Sequence, residues 1–373
     1  MHVAIVGAGL FGRLLALNLS GSEKSAKTQV TLFERDNLLA PRSAGYTAAA
    51  MLAPMAEAFS ASRLITRLGC DSMPLWAPLL NRLPEPVFFQ QAGSLVVSHP
   101  QDRGDYLNFM NHLQRNLEGT GLSEKLTRCD AQQLHTLEPE LPELFQLGVL
   151  LQAEGQLDNR ALYQASARAI EESQIQCRMN TEVDRIENNR VFFGNQSQDF
   201  DWVIDCRGLG AHGAAPGNLA QLRGVRGEVI RLHAPEVNFS RPIRLMHPRY
   251  PIYIVPKPNQ EYVIGATEIE SHDDSNISVR STLELLSAAY SLHPGFAEAR
   301  ILETQTSCRP ALPDNDPVIG IGRQLLQVNG LYRHGYLITP ALLQEVIDTL
   351  HSAASVTERK LASRYPELYR EAA

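Results

Sequence analysis

Cysteine is scarce in this chain, and the five that occur (Cys70, Cys129, Cys177, Cys206 and Cys308) are scattered without a C-x-x-C pair. That scatter argues against a thiolate metal cluster or a disulfide framework and suits a reducing cytoplasm, the expected location. The eleven histidines contain no H-x-x-x-H pair, so metal catalysis has no support. No apolar run reaches the about 18 residues needed to span a bilayer. Residues 1–20 also lack the charged start and small-residue cleavage site of a secretory leader, and a strand-like run begins at residue 2, so neither membrane attachment nor a removed leader is expected. A formal net charge of −7 argues against a surface that coats nucleic acid. Small molecules are the favoured partners, and a homo-oligomer is allowed.

What is present starts at once. Val3 to Val6 form a short apolar run suited to a buried parallel strand, and Gly7-Ala8-Gly9-Leu10-Phe11-Gly12 then opens a segment with Leu14, Leu15, Leu17 and Leu19 at helical spacing. In this G-x-G-x-x-G turn, Gly7 permits the bend and Gly9 lets backbone approach a pyrophosphate. Gly12 lets the helix pack against the strand, so that its N-terminus faces the phosphates. A second strand, residues 29–33, ends at Glu34, placed to accept hydrogen bonds from a ribose 2′-hydroxyl. Strand, turn, helix, strand and acid together indicate a dinucleotide site.

A chain of 373 residues exceeds the usual single core, so two domains are expected. A helix is expected from Glu57 to about Leu80, stopped near Pro84 and Pro86, where the first domain pauses. Val87–Phe89 and Ser94–Val97 read as a hairpin, followed by helices at about 102–117 and at 131–137, the latter with Asp130 as N-cap. A strand, a helix over 159–171 and further strands return the chain to the first domain. Phe200–Asp205, followed by Cys206-Arg207-Gly208, is a second glycine-bearing strand end, which suits a long cofactor lying across several strands. From Arg223 the pattern turns antiparallel, with strands near 227–232, 251–255 and 261–265, a helix from Ser278 to about Leu292 and a strand at 300–308. Residues 330–340 read as a loop into a last helix ending near Ala354.

Three separated segments coincide: the N-terminal glycine turn, Tyr253-Ile254-Val255-Pro256 with Gly265-Ala266-Thr267-Glu268, and Arg309-Pro310 with Tyr332-Arg333-His334-Gly335. Together they resemble the D-amino-acid oxidase family of flavoproteins, most closely its glycine oxidase branch associated with thiamine biosynthesis, over nearly the whole chain. The resemblance implies an α/β fold: a Rossmann-like FAD-binding domain of the glutathione-reductase-2 type, plus a substrate domain with a mixed, mostly antiparallel sheet. Residues 1–86, 147–222 and 310–373 would form the first, and 87–146 with 223–309 the second. It implies non-covalent FAD, with the pyrophosphate over Gly7, Gly9, Leu10, Phe11 and Gly12 and the adenosine ribose at Glu34 and Arg35. Ser43, Thr47, Ala48, Ala49 and Met51 match the loop lining the flavin. Val183 matches an adenine contact, and Gly208 a glycine near the ribityl chain. Arg333, His334, Gly335, Tyr336, Leu337, Ile338 and Thr339 match the segment at the pyrimidine side of the ring.

On the substrate side, Arg309 matches the family's carboxylate clamp, Tyr253 an active-site tyrosine and Arg333 a second pocket arginine. Glycine oxidases tend to carry a histidine two residues before that tyrosine, where this chain has Pro251, so its pocket departs from theirs. Taken alone, His334 reads as a solvent-facing loop residue and Cys308 as a buried strand thiol. The implied reaction is oxidative deamination of a small amino acid or N-substituted glycine, with hydride passing from Cα to flavin N5 and O2 reoxidising the flavin to give H2O2. Three alternatives stay open: a flavin dehydrogenase acting on a larger secondary amine with another acceptor, a nicotinamide enzyme in which Arg35 pairs with a 2′-phosphate, and a flavin-binding protein without catalysis of its own.

Overall fold

The computed structural model describes residues 1–21, 28–213, 221–246, 252–352 and 355–372. The N-terminal apolar run forms the strand His2–Val6, buried between Gln29–Phe33 and Trp202–Asp205 with parallel register on both sides. It belongs to a seven-stranded sheet ordered Tyr369–Glu371, Val318–Gly322, Leu325–Asn329, Trp202–Asp205, His2–Val6, Gln29–Phe33, Gln176–Arg178. Val318–Gly322 with Leu325–Asn329 is its one antiparallel pairing among the described strands. The helix Leu10–Gly21 packs on this sheet with Asn159–Glu171 and Gly335–Ser352 as neighbours. Leu14, Leu15 and Leu19 enter one core with Trp76, Leu337 and Leu342, each such leucine contributing about 1.5–3 kcal/mol by burial.

The second sheet has nine strands. Its order is Ile269–Glu270, Arg223–His233, Glu261–Gly265, Ile252–Lys257, Ile243–Met246, Ser94–Ser98, Leu147–Leu151, Leu126–Asp130, with Arg300–Ala311 also pairing along Arg223–His233. Period-2 alternation sends Ile252, Ile254, Ile243 and Leu245 into a core capped by the helix Val279–Leu292. The opposite face carries Arg244, Tyr253 and Gly265 in one row across three strands, and this face meets the first sheet's loops.

Several expectations change. Val87–Val97 is not a hairpin: Phe89–Gln90 pairs with Gly155–Leu157, while Ser94–Ser98 joins Leu147–Leu151 and Ile243–Met246 in the larger sheet. Between the two runs Gly93 takes φ +77° and its N–H donates to the Glu154 carbonyl, which turns the chain from one sheet to the other. Leu147–Leu151 therefore lies with the substrate-side strands, past the expected boundary at 147. The helix expected from Glu57 is a single turn, Pro54–Glu57, followed by Arg63–Leu80 with Ser62 as N-cap. The expected loop over 330–340 is helical from Gly335. Pro340 cannot donate to the Tyr336 carbonyl, which instead accepts the Trp76 indole N–H at 3.1 Å. Pro251, where the pocket departs from the glycine oxidases, lies outside the described residues.

Candidate active site

One cleft of about 1270 Å³ runs between the two sheets and reaches from the N-terminal glycine turn to Tyr253 and Arg309. At its first end the three motif glycines do different work. Gly7 has φ +102°, and a Cβ there would meet the Cys206 carbonyl oxygen at 2.8 Å; at Gly12 it would fall 1.9 Å from the Gly7 oxygen. Both are demanded by packing. Gly9 is not, because a Cβ there would find only Ser43 Cβ, at 3.8 Å. Its open side faces the cleft, the room a pyrophosphate needs for close backbone approach.

Glu34 is buried, and its carboxylate accepts from the Ala8 N–H at 2.7 Å and the Asp36 N–H at 3.0 Å, tying the second strand's end to the glycine turn. Arg35 is exposed at the rim, and beside it Arg42 forks onto Asp36. Ser43 bonds Tyr163 at 2.9 Å and starts the short helix Ala44–Thr47, after which Ala48, Ala49 and Met51 line the cleft floor. Val183 and Gly208 line it further on. Gly208 holds φ +55°, and its carbonyl accepts from Asn329 at 3.0 Å.

Of the segment at the closing helix, Arg333, His334, Gly335, Tyr336 and Leu337 line the cleft, whereas Ile338 and Thr339 are fully buried behind it. Those two are core residues, as Gly12 is. His334 is also buried, with Nδ1 3.3 Å from Glu57 Oε2, contrary to the solvent-facing reading. Its carbonyl accepts from the Ile338 N–H at 3.0 Å, which fixes it at the helix start, and its ring meets Tyr332 edge-on. Cys308 is half-buried, not buried, and its Sγ donates to the Asp273 carbonyl. Burial pushes its thiol up, so the thiol form dominates at neutral pH.

Sequence reasoning missed a supporting set. Arg13 is wholly buried and donates to the Ala8, Leu38 and Tyr163 carbonyls. Arg207 forks onto Asp205 (2.9 and 2.8 Å) and holds the Val183 carbonyl at 3.1 Å. Lys257, four residues past Tyr253, donates to the carbonyls of Ala49 (2.9 Å) and Leu157 (2.7 Å) and to Gln156 (3.2 Å), which pins the cleft floor to the substrate sheet. Burial pulls its ammonium down to about 7. An arginine after three glycine-turn residues or a lysine ending a strand carries no local mark of such a role.

At the second end, two arginines expected in the pocket are held in opposite ways. The Arg309 guanidinium lies flat over Gly227, where a Cβ would come within 2.3 Å of it. Only Nη1 is bonded, to the Thr267 carbonyl at 3.1 Å; Nε and Nη2 have no partner among the described residues. Tyr253 lies likewise over Gly265, whose Cβ would sit 2.8 Å from the phenol oxygen. Burial pushes that phenol up despite Arg309 and Arg244 nearby, so it is a neutral donor at ordinary pH. Arg333, by contrast, is saturated: Nε on Glu57 (2.8 Å), Nη1 on Glu268 (3.0 Å) and Nη2 on Ser60 (2.7 Å). Burial disfavours the Glu57 anion, but Arg333, His334 and Arg244 outweigh it and hold the carboxyl well below the usual range. Tyr332 donates to the other oxygen of Glu268 at 2.6 Å and closes the network.

The cleft fits a long polar cofactor. Gly9 is open to it, a helix N-terminus borders it, and Gln305 Oε1, on the strand facing the 43–49 loop, is buried with no hydrogen-bond partner among the described residues. A family model described as FAD dependent oxidoreductase, DAO, matches residues 2–348. The chain belongs to the DAO family of FAD-dependent oxidoreductases. A Rhizobium etli protein carrying the provisional name thiamine biosynthesis oxidoreductase ThiO is 35% identical over 360 residues, 96% of this chain and 99% of that one. The crystal structure of glycine oxidase from Geobacillus kaustophilus superposes with TM-score 0.79 at 23% identity, covering 95% of each chain. Iminodiacetate oxidase from Chelativorans superposes with TM-score 0.78 at 21% identity over 99% of each. At these identities the two structures establish the fold alone. As a DAO-family flavoenzyme this chain is an oxidoreductase using FAD, and the nicotinamide alternative falls. Among the described residues no helix is long and apolar enough to cross a membrane, and no cluster of side chains could hold a metal.

Proposed function

We propose that this flavoenzyme oxidises a small amino acid or an N-substituted glycine at Cα, with dioxygen as acceptor and hydrogen peroxide as product. The observation that carries the reading is Arg309, a half-buried guanidinium seated on a glycine with the edge formed by its Nε and Nη2 free for a carboxylate. The names of the relatives, ThiO and glycine oxidase, point the same way. Gly7 to Phe11 and Glu34 would hold the pyrophosphate and adenosine ribose, Val183 and Gly208 the adenine and ribityl parts, and Ser43 to Met51 with Arg333 to Leu337 the ring. FAD, bound non-covalently, supplies the two-electron acceptor.

Arg309 orients the substrate so that its Cα–H faces the floor formed by Ala48 and Ala49. That positioning is the main catalytic contribution of the chain. The neutral Tyr253 phenol donates a second hydrogen bond to the carboxylate. Arg333 shapes the wall and keeps Glu57 and Glu268 ionised, so it sets the field of the site without binding substrate. Loss of two electrons from the amine gives an imine, which water hydrolyses to an oxo-acid and ammonia or an amine. In this reading residues 1–86, 152–222 and 312–373 carry the cofactor and 87–151 with 223–311 carry the substrate.

Anaerobic mixing with glycine, sarcosine, D-amino acids and larger secondary amines tests the substrate class through flavin bleaching. Peroxide formed in step with substrate consumed supports dioxygen as acceptor; bleaching without peroxide on reoxidation assigns another acceptor.

A further inference from the structure

The substrate sheet carries a second arginine lining the cleft, besides Arg309, that the reaction above does not use. Arg244 lies directly opposite Tyr253 in antiparallel register, on the side of the tyrosine away from Arg309. Ile243 and Leu245 point into the core, so Arg244 and Met246 point to the cleft, which they line. Its guanidinium is underused. Nη2 stands 3.4 Å from Glu57 Oε1, and Nε is buried with no hydrogen-bond partner among the described residues.

The neighbouring carboxylates do not account for it. Glu57 Oε2 takes Arg333 at 2.8 Å, and Glu268 is shared by Arg333 and Tyr332. Glu154 behind it is satisfied by the Ala56 N–H at 2.6 Å and the Ser94 hydroxyl, and burial pushes its carboxyl up. A buried guanidinium edge left without an acceptor is costly unless a ligand supplies one. From Gly227, where Arg309 is seated, to the Arg244 strand is three strand spacings, about 14 Å, which the Arg244 side chain shortens. A small molecule anchored on Arg309 and passing Tyr253 therefore ends at Arg244.

We propose that Arg244 seats a second carboxylate of the substrate, so that the preferred amine is a dicarboxylate such as an N-carboxymethyl amino acid. The inference rests on amine oxidation as the reaction, and the test separates the two. With the holoenzyme, flavin reduction by iminodiacetate and sarcosine compares a second carboxylate with a methyl group. Binding of their non-oxidisable ether counterparts, diglycolate and methoxyacetate, is read from the flavin absorbance. The wild type should prefer the diacid at least tenfold in kcat/KM and in Kd. Arg244→Met should lower both ratios at least tenfold, and Arg244→Lys should keep part of them. Equal binding of the two ethers overturns the second seat even if sarcosine bleaches the flavin. Equal losses on both partners of each pair in Arg244→Met also overturn it, marking Arg244 as a partner of Glu57 alone. Tight diglycolate binding that depends on Arg244, with no amine bleaching the flavin, keeps the seat and overturns amine oxidation.

Discussion

The two ends of the cleft are built on opposite principles. The cofactor end is local: Gly7, Gly9 and Gly12 lie within one turn, and each has a separate geometric reason, a positive φ, an open side and a helix packed on backbone. The substrate end is assembled across strands from 223 to 311, where Gly227 and Gly265 clear the space that Arg309 and Tyr253 fill. Glycine serves both ends, by leaving an open side toward the cleft at Gly9 and by making room for the protein's own side chains at Gly227 and Gly265. At the substrate end the side chains differ again, since Arg333 is spent on Glu57, Glu268 and Ser60 while Arg309 is left open.

The largest effect should come from breaking the local end. Gly12→Ala places a Cβ 1.9 Å from the Gly7 oxygen, where only backbone movement relieves it. A loss of about 5 kcal/mol or failure to fold is expected, read from soluble yield and thermal denaturation. A variant as stable as the wild type would falsify the packing role given to Gly12. Next, Arg309→Leu should reduce kcat/KM roughly a thousandfold, about 4 kcal/mol, with flavin content retained. Loss of flavin in parallel would erase the division between the ends.

Arg333→Met leaves Glu57 without its closest cation and should cost about 3 kcal/mol of stability, with a smaller effect on substrate affinity than Arg309→Leu. The pH dependence follows the sign of the Glu57 shift. A carboxyl depressed in the folded chain contributes stability that is present above its unfolded pKa of about 4.3 and is lost as pH falls below it. Denaturation curves between pH 6 and 3 should therefore be flatter for Arg333→Met than for the wild type. An unchanged acid slope would mean that Arg333 is not what holds Glu57 ionised.

The last effect, small near pH 7 and growing as pH rises, concerns Lys257, which joins the two ends. Its folded pKa of about 7 lies below the ordinary 10.5, so between these values the unfolded chain keeps a proton that the folded chain releases. Stability from this group rises as pH rises through that window, by at most about 1.4 kcal/mol per unit, and is lost as pH falls through 7. Chemical denaturation at pH 7 to 9.5 should show that rise, and Lys257→Met should flatten it.

Most of the cofactor end was legible in the residues, because turn, helix and strand signals lie next to one another. Asn159–Glu171, Glu261–Gly265 and Val279–Leu292 form at the residues their caps and periodicity predict. The apparent hairpin over 87–97 failed because its two runs find better partners in different sheets, and periodicity says nothing about which strands will meet. Ile338 and Thr339 belong to the family's segment by position, yet helical geometry turns them into the core.

By itself the sequence determined the dinucleotide cradle and the family, and it nominated Arg309 as the clamp, since each rests on residue types at short spacing or on a recognisable motif. The tertiary structure alone decided which arginine is free. Arg309 and Arg333 are the same side chain 24 positions apart in the numbering, and nothing in their neighbours tells them apart. Only the fold brings Glu57 and Glu268 to one and a bare glycine to the other, and it adds Arg244, whose unpartnered Nε no pattern in the chain announces.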